Sequence, residues 1–362
     1  MKKIIFLIII LIIPIKISAL SASSYVVMDA ASNRVLEGSN INDKRLIASI
    51  TKIMTCIIAL ENSDISQEVE VSNDVLKSYG SGIYIEVGEK LKLEDLLYGL
   101  MLRSGNDAAI EIARVVSNSM DEFVNLMNLK AKDIGMNDTL FINNHGLEDN
   151  KGNGNKSTSY DMAILMSYAL KNDKFNEIIG TKRKVVKSSY KTYDWYNKNK
   201  LLQDYKYCIG GKTGFTKKAR RTLVTAARKD DKTIIIVTLN DPNDFLNHKN
   251  LYEENFKKYN LVTILNKNLF SLKDVKYNGN IYIKDDFKML LQKNEEDNIL
   301  VDYEMKENGN YNDEDIVGQA HIKLNNKEIN KVDIYLDTNN NKNVKKEKNW
   351  FLKLIDFIIF WR

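Results

Sequence analysis

Leu46-Ile47-Ala48-Ser49-Ile50-Thr51-Lys52-Ile53-Met54-Thr55 opens an apolar, helix-like run that continues through Leu60. Residues three apart share one face of a helix, so Lys52 can stand beside the Ser49 hydroxyl. A serine at a helix start also meets free backbone N–H groups and the positive end of the helix dipole. Taken alone, the pattern fits equally well a serine that merely caps its helix. The chain even repeats the spacing at Ser188-Ser189-Tyr190-Lys191, in a polar stretch with no apolar helix behind it.

Two later motifs change the weight of the first. Ser104-Gly105-Asn106 falls between two runs of helical periodicity, residues 91–102 and 107–116. At such a loop tip a capped turn is the bland account. The functional account is a polar wall, with Ser104 relaying a proton and Asn106 binding a substrate amide. Lys212-Thr213-Gly214 follows Gly210-Gly211 and precedes a strand-like run at Thr222. A basic edge strand explains it as well as a site does. In a site, Lys212 supplies charge, Thr213 a hydroxyl for a carboxylate, and Gly214 room for a ligand backbone.

A Ser-x-x-Lys, a Ser-x-Asn and a Lys-Thr-Gly in this order are the parts of an acyl-serine transfer site. A physical reason links the lysines. A lysine acts as a base only when neutral, and lowering its pKa from about 10.4 to near 7 takes roughly 3 units. Burial and a second cation supply shifts of that size. Lys212 is the expected second cation for Lys52.

The other reactive residues are few. There are three histidines, His145, His248 and His321. A Ser-His-Asp triad needs one beside the serine; His145, in the run Asn143-Asn144-His145-Gly146-Leu147, reads instead as a loop hydrogen-bonder. No His, Cys or carboxylate cluster has ligand spacing, so no metal or other cofactor is expected. The two cysteines, Cys56 and Cys208, form no disulfide framework. Cys56 lies on the apolar helix as an ordinary buried thiol; Cys208, four residues before Lys212, is expected to line the site wall.

The ends have patterns of their own. Met1-Lys2-Lys3, an apolar run to Ile15, and small residues at Ser18, Ala19, Ser21 and Ala22 read as a secretory signal cleaved after Ala19, with Ala22 second. The formal charge of +5 loses Lys2, Lys3 and Lys16 on cleavage and becomes +2, too weak a bias for a nucleic-acid partner. At the other end, Trp350, Phe351, Leu354, Ile355, Phe357, Ile358 and Trp361 recur at helical spacing behind an Asn/Lys-rich tether. That reads as an amphipathic helix lying on a membrane surface; a helix docked on the protein's own core is the alternative. Between the ends the chain divides near residue 260. Helical runs and strands at 25–28, 222–227 and 233–238 precede a closing helix at 244–259. Short strands at 280–283, 299–303, 320–324 and 332–336 come after it.

With these residues assembled, the sequence resembles the low-molecular-mass penicillin-binding proteins, specifically the serine-type D-alanyl-D-alanine carboxypeptidases of the peptidase S11 family. The strings that carry the resemblance span nearly all of the mature chain. They are Ala48-Ser49-Ile50-Thr51-Lys52-Ile53-Met54-Thr55, Ser104-Gly105-Asn106-Asp107-Ala108-Ala109, Asn144-His145-Gly146-Leu147, Tyr160-Asp161-Met162-Ala163, Asn197-Lys198-Asn199-Lys200-Leu201-Leu202 and Gly211-Lys212-Thr213-Gly214-Phe215-Thr216.

The resemblance implies an α+β fold: a transpeptidase/β-lactamase-like domain with an antiparallel sheet flanked by helices, then a small all-β domain and a C-terminal amphipathic helix. The expected layout is a signal peptide (1–19), a catalytic domain (20–260), a β-rich domain (261–337), and a tether with anchor helix (338–362). Ser49 would be the nucleophile, Lys52 its general base and Ser104 the third catalytic residue. Asn106 would form one wall, and Lys212, Thr213 and Gly214 the other. The backbone N–H groups of Ser49 and Phe215 would form an oxyanion hole, and Lys198 would meet the substrate's terminal carboxylate. Expected partners are peptidoglycan stem peptides ending in D-Ala-D-Ala, β-lactam antibiotics, and the outer face of a bacterial cytoplasmic membrane. Three positions depart from the family pattern: Ile47 and Asn144 where proline is usual, and Arg220 where glycine is usual. The rival expectations are a class A β-lactamase and a catalytically silent wall-binding protein. Gly105, the missing Glu-x-x-Leu-Asn loop and the second domain weigh against the β-lactamase.

Overall fold

The computed structural model describes residues 20–117, 119–272, 277–307 and 309–339. The expected signal peptide and membrane helix lie outside the described residues. The chain forms two compact units, one ending at Asn260 and the other starting at Leu261.

The first unit is built on five antiparallel strands, β1 (Ser24–Asp29), β2 (Val35–Ser39), β3 (Cys208–Thr216), β4 (Arg220–Lys229) and β5 (Lys232–Leu239), in spatial order β2-β1-β5-β4-β3. Val26 and Val224 both pair with Val237, and Lys212 pairs with Val224. Side chains alternate across a strand, and here both faces are covered. Val224, Ala226, Ile235 and Val237 join a helical core with Met162 and Leu165. On the other face Thr225 and Thr238 hydrogen-bond the buried His248 of the Asp244–Lys258 helix, at 2.7 and 3.1 Å.

The Lys52–Asn62 helix is buried on every side from Lys52 through Ala59, and Ile53, Met54, Cys56 and Ile57 are fully buried. Such a helix belongs in a core rather than on a surface; it packs against the helices Asn106–Val116, Met120–Asp133 and Ser159–Ala169. Each buried isoleucine contributes about 1.5–3 kcal/mol, so the helix that carries Lys52 is firmly seated.

The run at 91–102 is not one helix, as its periodicity predicts. Lys90–Lys92 is a short strand, Leu93–Tyr98 an α-helix, and Gly99–Arg103 a wider π-turn that stops at Ser104 with φ 62°. Gly105 N–H closes the turn on Gly99 O at 3.2 Å. Leu96, Leu97, Leu100 and Met101 keep three-to-four spacing straight through it, so sequence does not mark the turn; π-turns recur at functional sites.

The second unit is all-β. Its four-stranded antiparallel sheet runs Asn280–Tyr282, Lys327–Asp337, Ile316–Leu324, Ile299–Met305. A further strand pair, Asn260–Leu265 with Phe287–Leu291, adds Leu265, Met289 and Leu291 to its core.

Candidate active site

Ser49 sits in a tight turn, Ala48–Thr51, that leads directly into the Lys52–Asn62 helix. Ala48 takes φ 50°, a left-handed conformation that alanine adopts only under constraint. The constraint comes from the Asn144-His145-Gly146-Leu147 loop behind it. A Cβ on Gly146 (φ +90°) would lie 2.0 Å from Ala48 O, so only glycine lets the two backbones meet.

Both prolines that the family pattern favours are replaced by residues that use their extra donor. Ile47 N–H donates to Asn155 O at 3.2 Å, and a proline has no N–H to give. The Asn144 side chain, fully buried, donates from Nδ2 to Ala109 O at 2.6 Å. Arg220, by contrast, stands where glycine is usual and keeps the left-handed conformation, at φ 62°.

Lys52 is fully buried and its ammonium meets three oxygens. Nζ lies 3.1 Å from Ser49 Oγ, and donates to Asn106 Oδ1 and His145 O at 2.7 Å each. Asn106 is oriented for this by its own Nδ2, which donates to Tyr79 O at 2.6 Å. Lys212, also buried, donates to Ser104 Oγ at 3.0 Å and to Thr213 O at 2.7 Å. Thr213, Gly214 and Phe215 run past Ser49 along the wall of a cavity of about 300 Å³. A Cβ on Gly214 would lie 3.0 Å from Ser49 N and 3.1 Å from Ile50 N, so β3 packs backbone to backbone on the serine's turn. The three motifs, scattered over 166 residues, converge on one cleft, and Lys198 joins them at its mouth, donating to Ser81 Oγ at 3.3 Å.

The electrostatics add one cation to the expectation. Burial brings Lys52 down from 10.5 to about 7, and the second contribution comes from Lys198, with Asp107 opposing. Lys52 and Lys212 also repel each other as a pair, so Lys198 joins the expected second cation rather than replacing it. Lys212 is itself held well below the ordinary lysine range by burial, then by Lys52 and Lys198. His145 is brought down to about 3 by burial and by Lys52. Neutral at ordinary pH, its Nδ1 accepts from Leu147 N–H at 3.1 Å. That is the expected loop role, with one addition: its carbonyl holds Lys52.

One sequence expectation fails on geometry, and the decoy motif behaves as its setting suggests. Cys208 lines a different cavity, with Tyr205, Tyr207 and Ile209; four residues along a strand is about 13 Å, not one helical turn. It and Cys56 are free thiols. The second Ser-x-x-Lys lies at a hairpin turn between Arg183–Lys187 and Thr192–Tyr196. There Ser188 Oγ accepts from the N–H groups of Tyr190 and Lys191 and the Lys191 ammonium pairs with Glu86, so no serine–lysine pair forms.

Sequence reading also missed several residues that line the cleft: Ser81, Tyr84, Arg103, Lys200, Arg221 and Asp244. Arg221 was findable from the return strand, since it pairs in register with Phe215. Ser81 sits in the loop Gly80-Ser81-Gly82, which carries a turn signal and nothing more.

A serine beside a buried lysine, under a Lys-Thr-Gly strand, is the arrangement that acyl-serine enzymes use. The chain belongs to the D-alanyl-D-alanine carboxypeptidase family of peptidase S11, whose profile matches residues 14–243; the profile of the penicillin-binding protein 5 C-terminal domain matches residues 259–342. It is similar to the D-alanyl-D-alanine carboxypeptidase DacF of Bacillus subtilis, with 34% identity over 222 residues, covering 60% of this chain. The match spans 56% of that relative's length. Among solved structures it is similar to a D-alanyl-D-alanine carboxypeptidase from Mycobacterium tuberculosis (TM-score 0.63, 28% identity, 66% of this chain and 92% of the other). Penicillin-binding protein 5 from Haemophilus influenzae shares the fold over 88% of this chain and 97% of its own (TM-score 0.73, 22% identity).

Proposed function

We propose that this chain is a serine-type carboxypeptidase that removes the terminal D-alanine from peptidoglycan stem peptides ending in D-Ala-D-Ala, and that β-lactams acylate the same serine. The observation that carries the reading is the Lys52 environment. A neutral amine has two N–H groups and one lone pair. Asn106 Oδ1 and His145 O accept the two N–H groups, and the lone pair is left for the Ser49 hydroxyl 3.1 Å away. Lys52 therefore accepts the proton as Ser49 Oγ bonds to the carbonyl carbon. Charge on the carbonyl oxygen meets the backbone N–H groups of Ser49 and Phe215. The C–N bond then breaks, and the amine of the departing D-alanine takes up a proton relayed through Ser104. Water hydrolyses the acyl-serine and regenerates Ser49. Thr213 and Lys198 meet the leaving carboxylate, Lys212 adds positive charge, and Asn106 holds the donor amide.

The test is D-alanine release from a D-Ala-D-Ala peptide by the parent and by Ser49→Ala. Release by the parent alone is expected; equal release by both contradicts the reading. A class A β-lactamase would instead clear penicillin in rapid turnover, and a silent wall-binding protein would bind the peptide and release nothing.

A pH dependence arises from the same lysine. The reactive form is neutral, so the fraction available falls as pH drops through about 7, and acylation slows tenfold per unit below that. Lys198 helps to hold Lys52 down. Lys198→Gln is expected to move this acid limb to higher pH, read from penicillin acylation rates across pH; an unmoved limb contradicts the electrostatic assignment.

The same reading extends to location. An exported chain would work at the outer face of the cytoplasmic membrane, held by residues 338–362. Truncation ahead of Lys345 is expected to leave an active enzyme in the soluble fraction; a truncated chain that still pellets with membranes contradicts the anchor.

A further inference from the structure

The cleft has two lobes that share Ser49, Lys198 and Phe215. One runs past Thr213 and Arg221. The other, about 380 Å³, runs past Tyr84, Asn106 and Leu147, and Arg103 lines it. On the carboxypeptidase reading, the scissile carbonyl meets Ser49 between them. The departing D-alanine then occupies the Thr213 lobe, and the rest of the donor peptide must lie in the other.

That second lobe is electrostatically unbalanced. Arg103 and Lys198 line it and no Asp or Glu does. Arg103 Nη1 makes one long contact, donating to Tyr196 O at 3.4 Å, and Lys198 Nζ donates to Ser81 Oγ at 3.3 Å. Among the described residues no carboxylate pairs with either. The two cations act on each other instead: Lys198 is pushed down by burial and then by Arg103. The Thr213 lobe differs, because there Asp244 already holds Arg221 through two bonds of 2.6 and 3.1 Å. Like charges facing one concave space repel, and an anionic ligand relieves the repulsion.

The rim of the lobe is preformed. Tyr84 takes φ 62° and is 74% exposed. Its N–H donates to Asp107 Oδ2 at 2.6 Å and its carbonyl accepts from Lys191 Nζ at 3.0 Å. A strained residue held from both sides marks a surface whose shape is fixed before a ligand arrives.

We propose that this lobe is a subsite for a carboxylate carried by the donor peptide upstream of the scissile bond, and that Arg103 is the specificity-determining residue. The substrate class is an acidic stem peptide, in preference to one amidated at that carboxyl. A guanidinium matches a carboxylate through two parallel N–H bonds, which a carboxamide cannot accept in the same way.

The test uses the full chain and two synthetic donors that differ only in a carboxylate or a carboxamide on the residue preceding D-Ala-D-Ala. The readout is the acid-to-amide ratio of kcat/KM for D-alanine release. A ratio of about ten is expected for the parent, the scale of one charge-assisted bond. It should fall to about one in Arg103→Gln, recover in part in Arg103→Lys, and shrink with added salt. A parent ratio of one, or a preference that survives Arg103→Gln, overturns the subsite and leaves the carboxypeptidase reading standing, since D-alanine is still released. Equal loss on both donors, together with slowed penicillin acylation, assigns Arg103 to the fold and also overturns it. No release from either donor by the parent overturns the underlying reading and the subsite with it.

Discussion

Lys52→Met is expected to slow acylation of Ser49 by penicillin by about three to four orders of magnitude, the full scale of a positioned general base. The substitution keeps the length and apolar stem of the side chain, so the helix core around Ile53 and Ile57 stays filled. It leaves Asn106 Oδ1 and His145 O without their donor, at about 1–3 kcal/mol each. Against that, it removes an amine whose charged form burial disfavours. The fold should therefore persist while chemistry stops, and circular dichroism beside stopped-flow acylation separates the two. Lys52→Arg should be as inactive, because a guanidinium keeps its proton at any ordinary pH. A loss under tenfold in Lys52→Met contradicts the role given to this amine.

Gly214→Val is the second large effect, and it acts through the backbone. The new Cβ would meet Thr222 Oγ1 at 2.4 Å on one side and the N–H groups of Ser49 and Ile50 at 3.0 and 3.1 Å on the other. Real Cβ atoms do not come within 2.4 Å of a neighbour, and 3.0–3.1 Å is tighter than most, so β3 must shift relative to Thr222 and the serine's turn. A misplacement of about 1 Å costs on the order of a hundredfold in rate. We expect kcat/KM for D-alanine release to fall by at least that factor while the protein still melts cooperatively. A fall under threefold contradicts the close contact of β3 with the Ser49 turn.

Part of this site was legible before any coordinates. Ser49 and Lys52 announce themselves because three residues make nearly one helical turn, and their contact is local. The pairing of Lys52 with Asn106, and of Lys212 with Ser104, spans 54 and 108 residues. Motif chemistry and family resemblance placed all four residues at one site, but neither named these pairings. The fold was legible for similar reasons: the 3.6-residue and two-residue periodicities of long buried elements survive in the sequence. The run at 91–102 was misread because its leucines happen to keep three-to-four spacing across the π-turn. Arg103, Ser81 and Tyr84 were invisible because nothing local marks them. Arg103 reaches the cleft through that π-turn, and the other two through a loop anchored by Asp107, which accepts from the N–H groups of Ile83 and Tyr84. The coupling of Lys52 with Lys212 was anticipated from the motifs, whereas the contribution of Lys198 was not.

The central claim is that Ser49 is the acylated nucleophile. Intact-protein and peptide mass spectrometry after exposure to penicillin tests it most directly. The account predicts one penicilloyl adduct, on the peptide carrying Ser49, and none on the Ser49→Ala variant. An adduct on any other residue, or equal labelling of Ser49→Ala, would contradict it.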